Sequence, residues 1–492
     1  MNEKRIALVG YPGDYFLSFA RALEQGGFDV YWVTAVRSNV RCLHGLGIPD
    51  ERILDLAAGF QPGAMNVREC RERLAELERV RGPRVHDVIL MDRTLRRKDQ
   101  AFAIKYLHYL QTALTRFFSA NGITLVSSGR DTALAMVSML VSRALGIPWV
   151  APTRLRIPRE KYFFCNGHEN AEIVRIRETN DEDRAWASRF LREFNDAFAR
   201  AHTAPLAMPD DVTVPRPNKS YRTFGDVIRM VPEHRRVFWA AVKASLADRG
   251  NDYARYTLPR LVGMYLRRRR NMLAYRLRPP FSALADGPYC LYTLHAQPES
   301  MIDVAGSYYS DQVALITLIA RSLPASHELY VKVHHLNVDG QSLAYYRRIA
   351  AIPGVRLIDY SVDSRRLIRD SAIVFALTGT VAYEAALIGR KVLTFGNNYF
   401  NVFPTVFPCG APRDLPALIE TVLARTPAAD DTERIVECLA GLNAQCFDGE
   451  FNRASGDTTA ALTDADLATL QVAYNTVYQR LGAAALKQSQ PA

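Results

Sequence analysis

An α/β fold of two Rossmann-like domains facing each other across a cleft, with additional helices, is predicted by three observations. Strand-like apolar runs alternate with helix-patterned stretches from the N-terminus onward. The same alternation restarts after residue 281, beyond a helix-stopping Pro279–Pro280 pair. The 492-residue chain also exceeds one ordinary core, at about 100–200 residues per domain.

The first domain, 1–280, opens with "KRIALVG" (4–10), the loop "YPGD", a helix reaching Gln25 and a second strand, "FDVYWVT" (28–34). A long helix over 97–122 closes at Asn121–Gly122, and "ITLVSS", "DTALAMVSMLVSRALG" and "IPWVAP" repeat the strand–helix–strand unit of a parallel layer. Residues 181–278 read as helical and charged, with "FSALADG" as a hinge. The second domain, 281–460, alternates "YCLYTLH", a helix 308–322, "ELYVKV", a helix 341–351, "VRLID", a short helix, "AIVFAL", a helix 380–388 and "KVLTFG". The remainder, 461–492, carries an amphipathic helix over 464–482 expected to pack back on the first domain, and "KQSQPA" reads as disordered.

Composition narrows the function classes. Hydrophobic content of 48% with 23% charged residues is that of a folded soluble protein. The most apolar run, "TALAMVSMLV", stops at Ser142–Arg143 and is too short to span a bilayer. The start lacks the apolar stretch of a secretion signal, so a cytoplasmic location is expected. Seven scattered cysteines without a CxxC pair are expected to be reduced thiols. A net charge of +11 favours an anionic partner: a nucleotide sugar, a phospholipid surface or nucleic acid. Nucleic acid is disfavoured, because the basic residues are not interleaved with aromatic stacking platforms.

In open parallel sheets ligands bind beyond the carboxyl ends of the strands, so polar residues there are the candidates. After "LYTL" come His295, Gln297 and Glu299; after "ELYV" come Lys332, His334 and His335; after "IVFAL" come Thr378, Gly379 and Thr380, opening a helix that holds Glu384. "TGT" before a helix has the form of an anion site, with free N–H groups and the positive end of the helix dipole facing outward. It also has the form of a plain threonine N-cap. Lys332 and His334 on another strand end tip the balance toward phosphate. Glu384 suits ribose hydroxyls or a solvated helix face. His334 and His335 point to opposite sides of an extended segment and have no third ligand at zinc-like spacing, which argues against a metal. No Walker loop, GxSxG elbow or GxGxxG fingerprint is present.

Gln297-Pro298-Glu299, followed by "LYVKVHH" and "DSRRLIRDSAIVFALTGTVAYEAALIGRKVLTFGNNYF", resembles the capsule and surface-polysaccharide biosynthesis family that includes the bacterial β-Kdo transferases, with their QPE and HP motifs. His335 stands where the second motif has proline. The resemblance covers about 288–400. It implies a GT-B fold, a CMP-activated keto-sugar donor used without a cofactor, and a glycan or lipid-linked glycan acceptor. It also implies His334 at the nucleotide phosphate, with Gln297 and Glu299 near the sugar. Lys332, His334 and the Thr378–Thr380 helix start could then neutralise the single leaving phosphate without a metal.

A retaining transfer needs a carboxylate nucleophile. Asp131 in "SSGRD" ranks first and Glu299 second, with His295 as a further catalytic candidate; the other reading of Asp131 is a helix cap. Arg154, Arg156 and Arg159 suit a sugar carboxylate or acceptor phosphate, or are solvated loop residues. Arg267–Arg270 suits weak contact with an anionic membrane on its inner face, or is the charged face of an interdomain helix. A sugar-nucleotide epimerase of the same double-Rossmann shape, and a non-catalytic polysaccharide-export binding protein, are the alternatives to a transferase.

Overall fold

The computed structural model describes residues 3–11, 17–200, 258–297, 300–334, 340–451 and 462–488, with a few positions between 235 and 246. The α/β class and two Rossmann-like layers of largely parallel strands are present. The chain divides into one unit of Met1–Glu178, Ala244–Tyr256 and Ala444–Ala492, and a second of Thr179–Lys243 and Thr257–Asn443.

In the first unit, β1 (Lys4–Val9), β2 (Phe28–Thr34), β3 (Ile53–Asp55), β4 (Leu125–Ser128) and β5 (Trp149–Arg154) lie in the order β3-β2-β1-β4-β5, all parallel. That is five strands of the 3-2-1-4-5-6 Rossmann order, with the switch point between β1 and β4. The layer is not wholly parallel, because β5 turns back through a hairpin into antiparallel β6 (Lys161–Cys165), which pairs antiparallel with Phe447–Asp448. Burial explains β1 and β4: Ile6, Leu8, Leu125 and Val126 are fully enclosed, as expected of strands covered on both faces. The helix Asp464–Gln488 packs on the helix Leu17–Gln25, with Tyr474 edge-on to Phe19 at 5.5 Å between ring centroids. It runs through Lys487 and Gln488, where "KQSQPA" reads as disordered; the last four residues lie outside the described ones.

The second unit has β7 (Tyr289–Thr293), β8 (Glu328–Lys332), β9 (Val355–Ile358), β10 (Val374–Ala376), β11 (Val392–Thr394) and β12 (Val406–Pro408). Their order is β12-β11-β10-β7-β8-β9 and every pairing is parallel. Numbered within the unit this is the full 3-2-1-4-5-6 Rossmann order, read from the β9 edge, and its switch point lies between β7 and β10. Helices Gln312–Ser322 and Leu415–Ala424 supply Leu315, Ile316, Ile319, Leu415 and Ile419 to the core over that sheet.

The boundaries differ from the expected 281 and 460. Asp181–Arg200 packs on Asp431–Asn443, where Asn443 Nδ2 donates to Asp183 Oδ1 at 2.7 Å, so both helices belong to the second unit. The helix Leu258–Leu277 joins it too, because Met272 and Tyr275 enter the second core, with Tyr275 5.1 Å from Tyr346. The chain re-enters the first unit at Ala444, through the Phe447–Asp448 strand. Most of the remaining expected helical stretch, 201–257, lies outside the described residues.

Candidate active site

The second sheet places its three motif-bearing strands side by side, β10-β7-β8. Because they run parallel, their polar tails emerge at one rim, on both sides of the switch point. Thr293 is level with Lys332, and Leu294 N donates to Lys332 O at 2.9 Å. Continuing that register puts His295 and His334 at the same height. Across the switch point His295 lies against the start of the next helix: a Cβ built on Gly379 would sit 3.2 Å from His295 Cε1. Glycine therefore lets the imidazole approach the backbone closely.

The helix Thr380–Leu387 begins at that contact. Its N-cap is Gly379, and no side chain accepts a hydrogen bond there. The threonine-cap reading is thus not the one adopted. Ala382 N donates to Gly379 O at 3.1 Å, and the N–H groups of Thr380 and Val381 at the helix start are placed as a helix N-terminus that suits an anion. Thr378 is 2% exposed, and a Cβ on Gly396 would meet its methyl at 3.0 Å. The donors open to a ligand are therefore the backbone and half-buried Thr380. Glu384 is half-buried one turn further on. Asn398 fixes the neighbouring loop, donating from Nδ2 to Leu377 O at 2.9 Å and Gly396 O at 3.0 Å.

The corner "LHAQ" is held by Gln312, a residue that no motif in the sequence marks. Gln312, in the first turn of Gln312–Ser322 and 2% exposed, uses all four valences of its amide. Its Oε1 accepts from His295 N at 2.8 Å and Tyr292 OH at 3.3 Å; its Nε2 donates to His295 O at 3.2 Å and Gln297 Oε1 at 3.0 Å. Gln297 Nε2 in turn donates to Ser310 O at 2.8 Å. Gln297, expected near the sugar, thus has both ends of its amide engaged in shaping the corner. A buried polar residue one position past the capping Asp311, whose Oδ1 accepts from Val313 N and Ala314 N, was the available signal in "DQVALI".

Lys332 also does something other than expected. It is 7% exposed, and its Nζ donates to Tyr360 O at 3.0 Å in the loop after β9. Burial pulls its pKa down to about 8, against the charges of Asp359 and Asp363, which favour the ammonium. Its cation thus lies beneath the rim, anchored on the loop after β9. His334 is half-buried at the end of β8. Pro298, Glu299 and His335 lie outside the described residues.

In the first unit, Asp131 follows β4 and so stands at that sheet's own switch point. It is not the cap of the next helix, Ala133–Ala144: Thr132 takes that role, accepting from Ala135 N, and buried Asp92 accepts from Ala133 N at 2.8 Å. Asp131 is half exposed and faces Arg93 at 4.0 Å. Arg154 ends β5 and lies 3.7 Å from Glu450; Arg156 is exposed in the β5–β6 hairpin, which also holds Arg159. Asp131, Arg154 and Arg156 belong to the first unit and the histidine rim to the second. Among the described residues no group of three or more His, Cys, Asp or Glu is placed to hold a metal, and no helix is long and apolar enough to cross a membrane.

No curated protein matches the chain. Solved structures similar to it include UDP-GlcNAc 2-epimerase from Methanocaldococcus jannaschii (11% identity, 88% of this chain and 98% of that one, TM-score 0.25). Another is KpsC, β-Kdo 2,7 transferase, from Thermosulfurimonas dismutans (10%, 74% and 89%, TM-score 0.31). A third is MurG from Acinetobacter baumannii (14%, 90% and 96%, TM-score 0.25). None of these likenesses decides the reaction. Residues 251–404, which include β7, β8, β10 and the helix start at Gly379, match the family described as capsule polysaccharide biosynthesis protein. Over that segment the chain is similar to the capsule polysaccharide biosynthesis proteins, the family its QPE and Lys332–His334 motifs resemble.

Proposed function

We propose that the protein is a glycosyltransferase of capsule or surface-polysaccharide biosynthesis that takes a CMP-linked sugar, Kdo first among them, and transfers it to a glycan or lipid-linked glycan. The observation that carries this reading is the rim at the β7/β10 switch point. There His295 lies against Gly379, and the helix start behind it has no side-chain cap. A departing CMP gathers negative charge on its one phosphate. Backbone N–H groups aimed at that position, with His334 beside them, stabilise the charge as it develops and need no reorganisation. Lys332 contributes its field from below and makes no direct contact in this account.

In the transfer, a carboxylate attacks the anomeric carbon as the bond to the CMP phosphate oxygen breaks, and CMP leaves with the bonding electrons. The acceptor hydroxyl then displaces the carboxylate, losing its proton to a base at the site. Asp131 is assigned as the nucleophile, with Glu299 as the second candidate, and Arg154 and Arg156 as ligands of a sugar carboxylate or acceptor phosphate.

Incubation of the full chain with CMP-Kdo and a panel of glycan acceptors tests the proposal. Acceptor-dependent CMP release, abolished in His334→Ala and His295→Ala, is the expected result. Intact donor with every acceptor, or conversion of a UDP-sugar with no acceptor present, would overturn it.

A further inference from the structure

The helix Leu258–Leu277 buries Leu261, Met272 and Tyr275, the last two in the second core, and leaves an apolar stripe on another face. Val262, Leu266, Leu273 and Leu277 are between 39% and 70% exposed. At 3.6 residues per turn they fall within an arc of about 60°. Four large aliphatic side chains aligned this way differ from the single exposed apolar residues of an ordinary surface. Arginines border the stripe, Arg269 and Arg276 on one side and Arg267 and Arg270 on the other, and no acidic residue occurs between Asp252 and Asp286. Arg269 lies over the Tyr265 ring at 5.0 Å, and Tyr265 packs on Phe238 at 5.4 Å, next to Trp239, which is 55% exposed.

We propose that this face docks on an anionic lipid bilayer, with the leucine stripe entering the boundary between headgroups and acyl chains and the arginines on the phosphates. A protein partner or a second copy would take the apolar stripe equally well. The acid-free border favours a surface that is negative everywhere, and the arginine stems can lie along the stripe while their heads reach the phosphates. The helix lies in the interface plane and does not span it. The inference goes beyond the transfer reaction and does not depend on the donor.

The test is co-sedimentation of the full chain with vesicles of phosphatidylcholine alone and of phosphatidylcholine with phosphatidylglycerol. Binding to the anionic vesicles only, weakening with added salt, is expected. Leu266→Glu with Leu273→Glu should weaken it at least tenfold, with an unchanged thermal midpoint because both side chains are exposed. Arg267→Gln and Arg270→Gln should each weaken it by roughly fivefold. Equal binding to both vesicle types, binding untouched by the leucine changes, or absence of vesicle binding together with a dimer that those changes dissociate, would each overturn the proposal.

Discussion

Replacing Gln312 with leucine tests how the rim is built. The substitution keeps the volume and deletes four hydrogen bonds, leaving the His295 N–H and C=O, the Tyr292 hydroxyl and Gln297 Oε1 each short of a partner. At about 1 kcal/mol for each net bond, and more for a buried group left unsatisfied, the loss is about 3–5 kcal/mol. Domains are typically stable by about 5–15 kcal/mol, so the variant should still fold, with its urea midpoint lowered. CMP affinity should fall more than tenfold, because His295 loses both backbone tethers. Gln312→Glu separates this network from simple packing. Its carboxylate still accepts from His295 N and Tyr292 OH but turns an acceptor toward His295 O and Gln297 Oε1. Burial and those facing oxygens raise its pKa, and protonation restores one donor. Its deficit against the wild type should therefore shrink as the pH falls. A Gln312→Leu protein with an unshifted midpoint and intact CMP affinity, or a Gln312→Glu deficit that ignores pH, would refute the reasoning.

Other outcomes follow from the same geometry. Lys332 has its folded pKa lowered to about 8 from an ordinary 10.5. The unfolded chain thus binds more protons between those values, and stability rises with pH across that window. Chemical denaturation at pH 7.5 and pH 10 should show wild type gaining up to about 3 kcal/mol relative to Lys332→Met; equal differences at both pH values would contradict a buried ammonium. Gly379→Ala places a methyl 3.2 Å from His295 Cε1, so the ring must shift by a few tenths of an ångström. A several-fold rise in KM for the donor is expected, and a larger one for Gly379→Val; unchanged KM in both would place His295 elsewhere. Asp131→Asn should lower kcat by at least a thousandfold if it is the nucleophile, while Glu299→Gln costs less; the reverse order would transfer the role to Glu299.

The strand ends that line the candidate site are easier to read from the sequence than the division into units. Apolar strands ending in His295, Lys332 and Thr378 announce themselves because a buried parallel strand has a short, nearly continuous hydrophobic signature. That β10, β7 and β8 are neighbours does not follow from any one segment, since it depends on the crossover order of the sheet. Lys332 misled for a related reason: its position was readable, but whether its Nζ turned toward the rim or toward Tyr360 depends on the loop after β9. Gln312 opens a helix whose apolar pattern, Val313, Leu315, Ile316 and Ile319, gives no signal for a polar residue in its first turn. The boundary near 281 rests on the Pro279–Pro280 pair, a local stop signal. The helix Leu258–Leu277 before it packs by side chains, Met272 and Tyr275, whose destination no local signal states. The strand β3 spans only Ile53–Asp55, too short to show alternation.

The central claim is that the nucleotide phosphate sits on the helix start at Gly379, between the tails of β10, β7 and β8. A crystal structure of the full chain with CMP tests it most directly. The phosphate should accept hydrogen bonds from the first-turn N–H groups of Thr380–Leu387, with His334 within reach and His295 still against Gly379. CMP bound elsewhere, with that helix start left to solvent, would contradict it.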